Sequence, residues 1–124
     1  MSYLIDTHVL LWWLADDPQL GEGARECIRT GAVWVSTAAV WEIVIKKRIG
    51  KLEAPDDIDR QIQEQDFYVL DIKLPHVMAL RSLPDHHSDP FDRIQIAQAA
   101  TEDLAFITKD KRIRRYEGID ILTA

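Results

Sequence analysis

The chain carries one cysteine, Cys27, so no internal disulfide can form and the fold has to stand on packing alone. A lone thiol fits a reducing compartment. Long apolar runs are also missing. The longest, residues 9–15 and 38–41, fall far short of the ~20 residues that span a bilayer. Residues 1–5 run straight into Asp6 without a basic segment or cleavage site, so no secretory signal is expected. Positive charge is in deficit, with 15 Lys and Arg against 21 Asp and Glu and a net charge of −6. Proteins that grip nucleic acid through its phosphates ordinarily show a basic face. The overall charge therefore argues against such a partner unless bound metal neutralises some of the acids. There is no P-loop and no glycine-rich dinucleotide fingerprint, nor any repeat, linker or low-complexity stretch. These absences leave a soluble, cytoplasmic chain with no membrane partner, and 124 residues suit one domain over 1–124 with a real core.

What is present alternates. Short β-branched or aromatic runs at residues 2–5, 33–35, 67–70, 105–108 and 119–122 read as strands. Between them, residues 7–14, 21–30, 38–49, 55–65, 74–82 and a stretch from Pro90 read as helices, and 111–116 as a charged turn or short helix. Ser36 or Thr37 can cap the third helix and Gly50 stops it. Alternating strands and helices imply right-handed crossovers and a mainly parallel sheet. The expected fold class is α/β, three layers, with about five strands flanked by helices. In such sheets, sites form beyond the carboxyl ends of the strands.

Four acids stand at such ends. Asp6 follows the first strand directly, and Asp110 follows the fourth by two residues. Asp92 lies in the first turn of an alanine-rich helix behind Asp89-Pro90, where proline suits the first helical position and the helix dipole favours negative charge. Glu42 lies on a helix face with Ala38, Trp41, Ile45 and Ile49, inside an otherwise apolar run. Each has an ordinary structural reading: Asp6 and Asp89 as helix caps, Asp110 as a turn residue, Glu42 paired with Lys46 at i,i+4. A buried, unpaired carboxylate is costly, and an i,i+4 pair does not explain an acid on an apolar face. Converging acids repel, and a divalent cation removes the repulsion. All-oxygen ligands select Mg²⁺ or Mn²⁺ over zinc, and such an ion activates water at a phosphate ester. The residues alone thus point to a metal-dependent phosphodiester or phosphate hydrolase.

Other chemistries are poorly served. His86 and His87 are adjacent, so their side chains diverge, and they belong to the turn before the last long helix. Cys27 sits in a polar helix without an evident His partner. Trp12, Trp13, Trp34 and Trp41 read as core or interface. The adjacent pair Trp12 and Trp13 cannot both face one core, which leaves one to be covered by a partner. The clusters Lys46-Lys47-Arg48 and Lys109 to Arg115 read as solvated faces, with nucleic-acid contact the weaker reading.

In order along the chain, Leu4-Ile5-Asp6-Thr7-His8, Val35-Ser36 through Trp41-Glu42, Asp89-Pro90-Phe91-Asp92-Arg93 to Ala97-Gln98-Ala99, and Ile107-Thr108-Lys109-Asp110 resemble a PIN-domain ribonuclease of the VapC toxin type. The resemblance runs from residue 3 to about 122. It implies an acidic catalytic and metal site of Asp6, Glu42, Asp92 and Asp110, with Thr7 orienting an acid or water. Asp89 is auxiliary or a cap, and Arg93 meets an acid or a phosphate. It implies Mg²⁺-dependent endonucleolytic cleavage of RNA, Mn²⁺ substituting, with water attacking in line to leave a 5′-phosphate and a 3′-hydroxyl. It also implies a homodimer, alone or within a larger toxin–antitoxin assembly, and inhibition by a cognate VapB-type antitoxin whose C-terminal segment covers the site. Local RNA contact falls to Lys46, Lys47, Lys109 and Arg112.

Three alternatives remain open. A phospho-accepting receiver domain shares strand-end acids and a Thr-Lys pair like Thr108-Lys109, but the first strand ends in Asp6-Thr7 where paired acids are wanted. A phosphatase with Asp6 as nucleophile meets His8 where its second acid belongs. A catalytically inactive PIN-like binding module would not need acids at all four positions.

Overall fold

The computed structural model describes residues 1–86, 88–110, 113, 116 and 118–124. Among them, five strands form one parallel sheet in the order β3-β2-β1-β4-β5. The strands are β1 (Ser2–Ile5), β2 (Ala32–Ser36), β3 (Tyr68–Leu70), β4 (Ala105–Thr108) and β5 (Ile121–Thr123). The helices are α1 (Thr7–Leu14), α2 (Glu22–Thr30), α3 (Thr37–Arg48), α4 (Ile58–Glu64), α5 (Leu74–Ala79) and α6 (Pro90–Thr101), with a 3₁₀ turn at Leu80–Ser82. This is the expected three-layer α/β architecture, and no helix among the described residues is long and apolar enough to cross a membrane.

The pleat sorts the core. Tyr3 and Ile5, Val33 and Val35, and Ala105 and Ile107 face one side, where Val9, Leu10, Ala24, Ile28, Ile43, Ile58 and Ile62 cover them. Leu4 and Phe106 face the other side with Ile96, Ala99 and Leu104, so α6 closes the second layer. Leu4, Ile5, Phe106 and Ile107 are wholly buried, and each contributes about 1.5–3 kcal/mol by leaving water. Helix α3 lies against both α1 and α6. The edge-on contact of Trp41 with Phe91 at 5.2 Å helps hold it there.

Several boundaries differ from expectation for identifiable reasons. Helix α4 begins at Ile58 rather than Pro55, because the Lys47 ammonium binds the Ala54 carbonyl and the Asp56 carboxylate and keeps that segment a loop. Strand β5 is shifted to residues 121–123 by its register, Phe106 opposite Ile121 and Thr108 opposite Thr123. The helix expected over 74–82 tightens into a 3₁₀ turn after Ala79. Buried His76 ties α5 to α6: its Nδ1 accepts from the Lys73 N–H at 3.0 Å and its Nε2 lies 3.0 Å from Glu102. Trp12 and Trp13 both pack partly against the same core, Trp13 donating to Gln65 at 2.9 Å, which corrects the expectation that only one of the pair could face it. The expected turn over 111–116 lies outside the described residues apart from Ile113 and Tyr116, and His87 and Arg112 lie outside them as well.

The chain moves from β1 outward through β2 to β3, then crosses to β4 on the other side of β1. The reversal opens a crevice beyond the carboxyl ends of β1 and β4, the place where open α/β sheets bind ligands. Asp6 and Asp110 are carried to that crevice by chain direction alone.

Candidate active site

Asp6 stands where β1 hands over to α1, and three donors fix its carboxylate. Oδ1 accepts from the Val9 N–H at 2.8 Å, making Asp6 the N-cap of α1. Oδ2 accepts from the Thr108 hydroxyl at 2.5 Å and the Lys109 N–H at 3.2 Å, both at the end of β4. The capping expectation for Asp6 therefore holds, but a cap needs only one oxygen. The other is held across the sheet at the crevice. Asp6 is 4% exposed. Burial pushes its carboxyl above the ordinary carboxylate range, and the bonds from Thr108, Val9 and Lys109 only partly offset this.

Glu42 approaches from α3. It is 2% exposed, and its two oxygens are separately engaged. Oε1 accepts from the Thr7 hydroxyl at 2.7 Å, and Oε2 faces the Lys46 ammonium at 2.5 Å. The i,i+4 pair is thus real, but it operates at the crevice and not on a surface. The face expected around Glu42 is corrected. Ala38, Ala39, Glu42 and Ile43 are buried, whereas Trp41, Ile45 and Ile49 are exposed, together with Val44. Lys46 is held in its charged form chiefly by Glu42, with Asp89 and Asp92 near enough to act in the same direction.

Helix α6 supplies the third side. Asp89 is its N-cap and accepts from Phe91 N–H at 2.8 Å and Asp92 N–H at 3.2 Å, so the capping reading holds for it. Asp92 stands in the first turn, within electrostatic reach of Lys46. Arg93 donates to the carbonyls of Pro84 at 2.9 Å and Leu83 at 3.2 Å, fastening the segment before α6. Asp110 joins through its backbone: its N–H donates to Thr108 Oγ1 at 3.0 Å, the hydroxyl that holds Asp6. Of the expected RNA contacts, Lys109 lies 5.8 Å from the Trp12 ring and Lys47 is bound to Ala54 and Asp56.

Three participants were given no role in the site from the sequence, although Thr108 and His8 stand in its motifs. Thr108 holds Asp6, and the β-strand pattern around it gives no sign of that. His8 lines a cleft of about 590 Å³ with Trp12, Leu52 and Gln61. Burial and the Lys109 charge push its imidazole down, against the pull of Asp6 and Glu42. Gln95 is fully buried on α6, with Nε2 3.2 Å from the Phe91 carbonyl and 3.4 Å from Thr7 Oγ1. Its Oε1 accepts no hydrogen bond from the described residues. A glutamine between Ile94 and Ile96 was the available signal.

The donor chemistry suits a hard divalent cation. The acids are oxygen donors, a buried amide oxygen beside Thr7 lacks a donor, and the acids already attract one positive charge, the Lys46 ammonium. As the side chains stand, no three Asp, Glu, His or Cys among the described residues are grouped to hold an ion.

Comparison with known proteins places the fold. The PIN domain family model matches residues 3–119. None of the curated proteins compared matches the chain. Among solved structures, a chain of VapBC2 from Rickettsia felis, bound to a DNA fragment from its promoter, superposes with a TM-score of 0.74 at 11% identity, covering 99% of this chain and 98% of that one. DNA-bound VapBC from Salmonella typhimurium gives 0.72 at 17% identity, with 99% and 98% covered. VapBC-5 from Mycobacterium tuberculosis, a toxin–antitoxin system, gives 0.62 at 18%, with 98% and 96% covered. At these identities the likeness is one of fold.

Proposed function

The chain belongs to the PIN domain family, and from that premise we propose that it is a metal-dependent endoribonuclease toxin restrained by a cognate VapB-type antitoxin. The observation that carries the reading is the crevice between β1 and β4. There a buried Asp6, fixed at both oxygens, is followed by Thr7, whose hydroxyl orients a buried Glu42. A surface cap or a surface ion pair would need neither the burial nor the convergence.

In this reading Asp6, Glu42, Asp92 and Asp110 hold Mg²⁺, with Mn²⁺ able to substitute. The ion, when bound, neutralises the crowded acids, activates water and stabilises charge developing on the phosphodiester. The chain's own residues position and exclude. Thr108 and the Lys109 N–H fix Asp6, Thr7 fixes Glu42, and Asp89 sets the first turn of α6 and so the direction of Asp92. No protein nucleophile is required. Lys109, whose ammonium lies 5.8 Å from the ring of the cleft residue Trp12, is a candidate among the described residues to meet an RNA phosphate.

The receiver alternative is disfavoured by the PIN domain match over residues 3–119 and by Thr7, which stands where that domain wants a second acid beside Asp6. Partners are supported by the surface. Trp41 and Val44 on α3 and Val69 on the edge strand β3 share an apolar cleft of about 430 Å³. Exposed Val77 and Met78 on α5 add to the apolar surface. Apolar clusters of this kind mark interaction sites, in keeping with a homodimer and an antitoxin.

The test is cleavage of a mixed small-RNA pool by wild type and Asp6→Asn, each with Mg²⁺, Mn²⁺ or EDTA. The expected result is metal-dependent cuts with 5′-phosphate ends that disappear in the variant. Folded, antitoxin-free wild type that cuts nothing in either metal would favour the inactive binding module.

A further inference from the structure

The crevice already contains a cation, and it belongs to the chain. Glu42 is a buried carboxylate whose second oxygen faces Lys46 Nζ at 2.5 Å, one helical turn further along α3. The Lys46 side chain is 31% exposed and that of Glu42 is 3% exposed, so the ammonium enters from the solvent side. Asp89 and Asp92 of α6 lie near enough to act on its charge. An uncompensated buried carboxylate is costly, and Thr7 offers Glu42 one hydroxyl but no charge. Lysine suits a removable counter-charge, being a compact ammonium on a flexible stem rather than a rigid fork.

Resting on the proposed metal site, we infer that Lys46 is an intrachain counter-cation that occupies the Glu42 carboxylate in the metal-free protein and has to be displaced before a divalent ion binds there. Two cations then compete for one oxygen. The neighbouring lysine plays no part in this, since Lys47 is spent on the Ala54 carbonyl and the Asp56 carboxylate in the segment after α3.

Competition makes the metal-free and metal-bound states respond oppositely to loss of Lys46. Lys46→Met keeps the aliphatic stem and removes the charge. It should bind Mn²⁺ more tightly by a factor on the order of tenfold, and its melting temperature in EDTA should fall below that of wild type. Lys46→Arg keeps the charge and should bind Mn²⁺ about as weakly as wild type. Lys51→Met removes one unit of charge at an exposed position beyond α3 and should leave the affinity unchanged.

The experiment is Mn²⁺ titration by calorimetry, paired with thermal unfolding of each protein in EDTA and in saturating Mn²⁺. Tighter binding in Lys46→Met, with a larger melting shift on adding Mn²⁺, supports the inference. A variant that folds only when Mn²⁺ is present supports it too. Should Lys46→Met fail to fold in either condition, Lys46→Gln takes its place in the titration. Equal or weaker Mn²⁺ binding in the uncharged variant overturns the role of Lys46 and leaves the metal site standing. No saturable binding by wild type or by any variant overturns the metal site itself.

Discussion

Replacing Thr108 by valine isolates the contact that orients Asp6. The exchange keeps the shape of a buried β4 side chain and converts its hydroxyl to a methyl group. Two hydrogen bonds go: the one to Asp6 Oδ2 at 2.5 Å and the one accepted from Asp110 N–H at 3.0 Å. A hydrogen bond to a charged group is worth about 1.5–3 kcal/mol and a neutral one about 1 kcal/mol. The extra apolar surface returns about 1 kcal/mol. The net loss near neutral pH is therefore about 2 kcal/mol. For a chain of this size that is a fall of about 6–12 °C in melting temperature.

The pH dependence gives the sharper test. Burial raises the folded pKa of Asp6 above its unfolded value, so the folded state takes up the proton first. The stability Asp6 contributes is then complete below the unfolded pKa and is lost as pH rises through the folded one. Thr108 is the largest of the influences that lower this pKa, so Thr108→Val raises it further. The melting deficit of the variant should be largest near neutral pH and shrink on acidification, as followed by circular dichroism in EDTA. A deficit below about 2 °C at neutral pH, or one that does not change with pH, would refute the reasoning.

The same raised pKa predicts that Mn²⁺ affinity weakens on acidification while the pH is still above the ordinary carboxylate range, because protons compete at Asp6. Calorimetric affinity that stays flat through that range would count against it. Asp89→Ala should cost about 1 kcal/mol in urea unfolding, and Asp89→Ser should recover most of it, since serine also caps; equal losses would show that capping is not what Asp89 contributes. Gly31→Ala should cost about 1–3 kcal/mol by overpacking, because a methyl group there would stand 2.4 Å from Tyr3 Cε2 and 2.9 Å from the Cys27 carbonyl. An unchanged urea midpoint would mean that the Tyr3 ring moves aside freely.

The strands and helices were legible because each carries a local signal. Residues 2–5 and 105–108 are short apolar runs closed by Asp6 and by the polar Lys109-Asp110, and Asp89-Pro90 marks the start of α6. Chain direction in a parallel sheet then delivers Asp6 and Asp110 to one edge without knowledge of any contact. What sequence could not give was rotation and reach. Helix α3 is apolar around most of its circumference, so periodicity does not fix its phase. Packing against α1, α6 and the sheet selects Ala39 and Ile43 for the interior and leaves Trp41 and Ile45 outside. Glu42 is buried all the same, because Thr7 and Lys46 are waiting for it. The Thr108 bond to Asp6 joins residues 102 positions apart and leaves no trace in local pattern. Likewise, the late start of α4 depends on Lys47 reaching from another helix.

The central claim is that the acids at the β1–β4 crevice hold a divalent ion, and the most direct measurement is an anomalous difference map from crystals grown with Mn²⁺. The account predicts a peak bounded by Asp6, Glu42 and Asp92, with the Lys46 ammonium moved away from Glu42. A map with no peak there, or with Mn²⁺ bound only elsewhere, would contradict it.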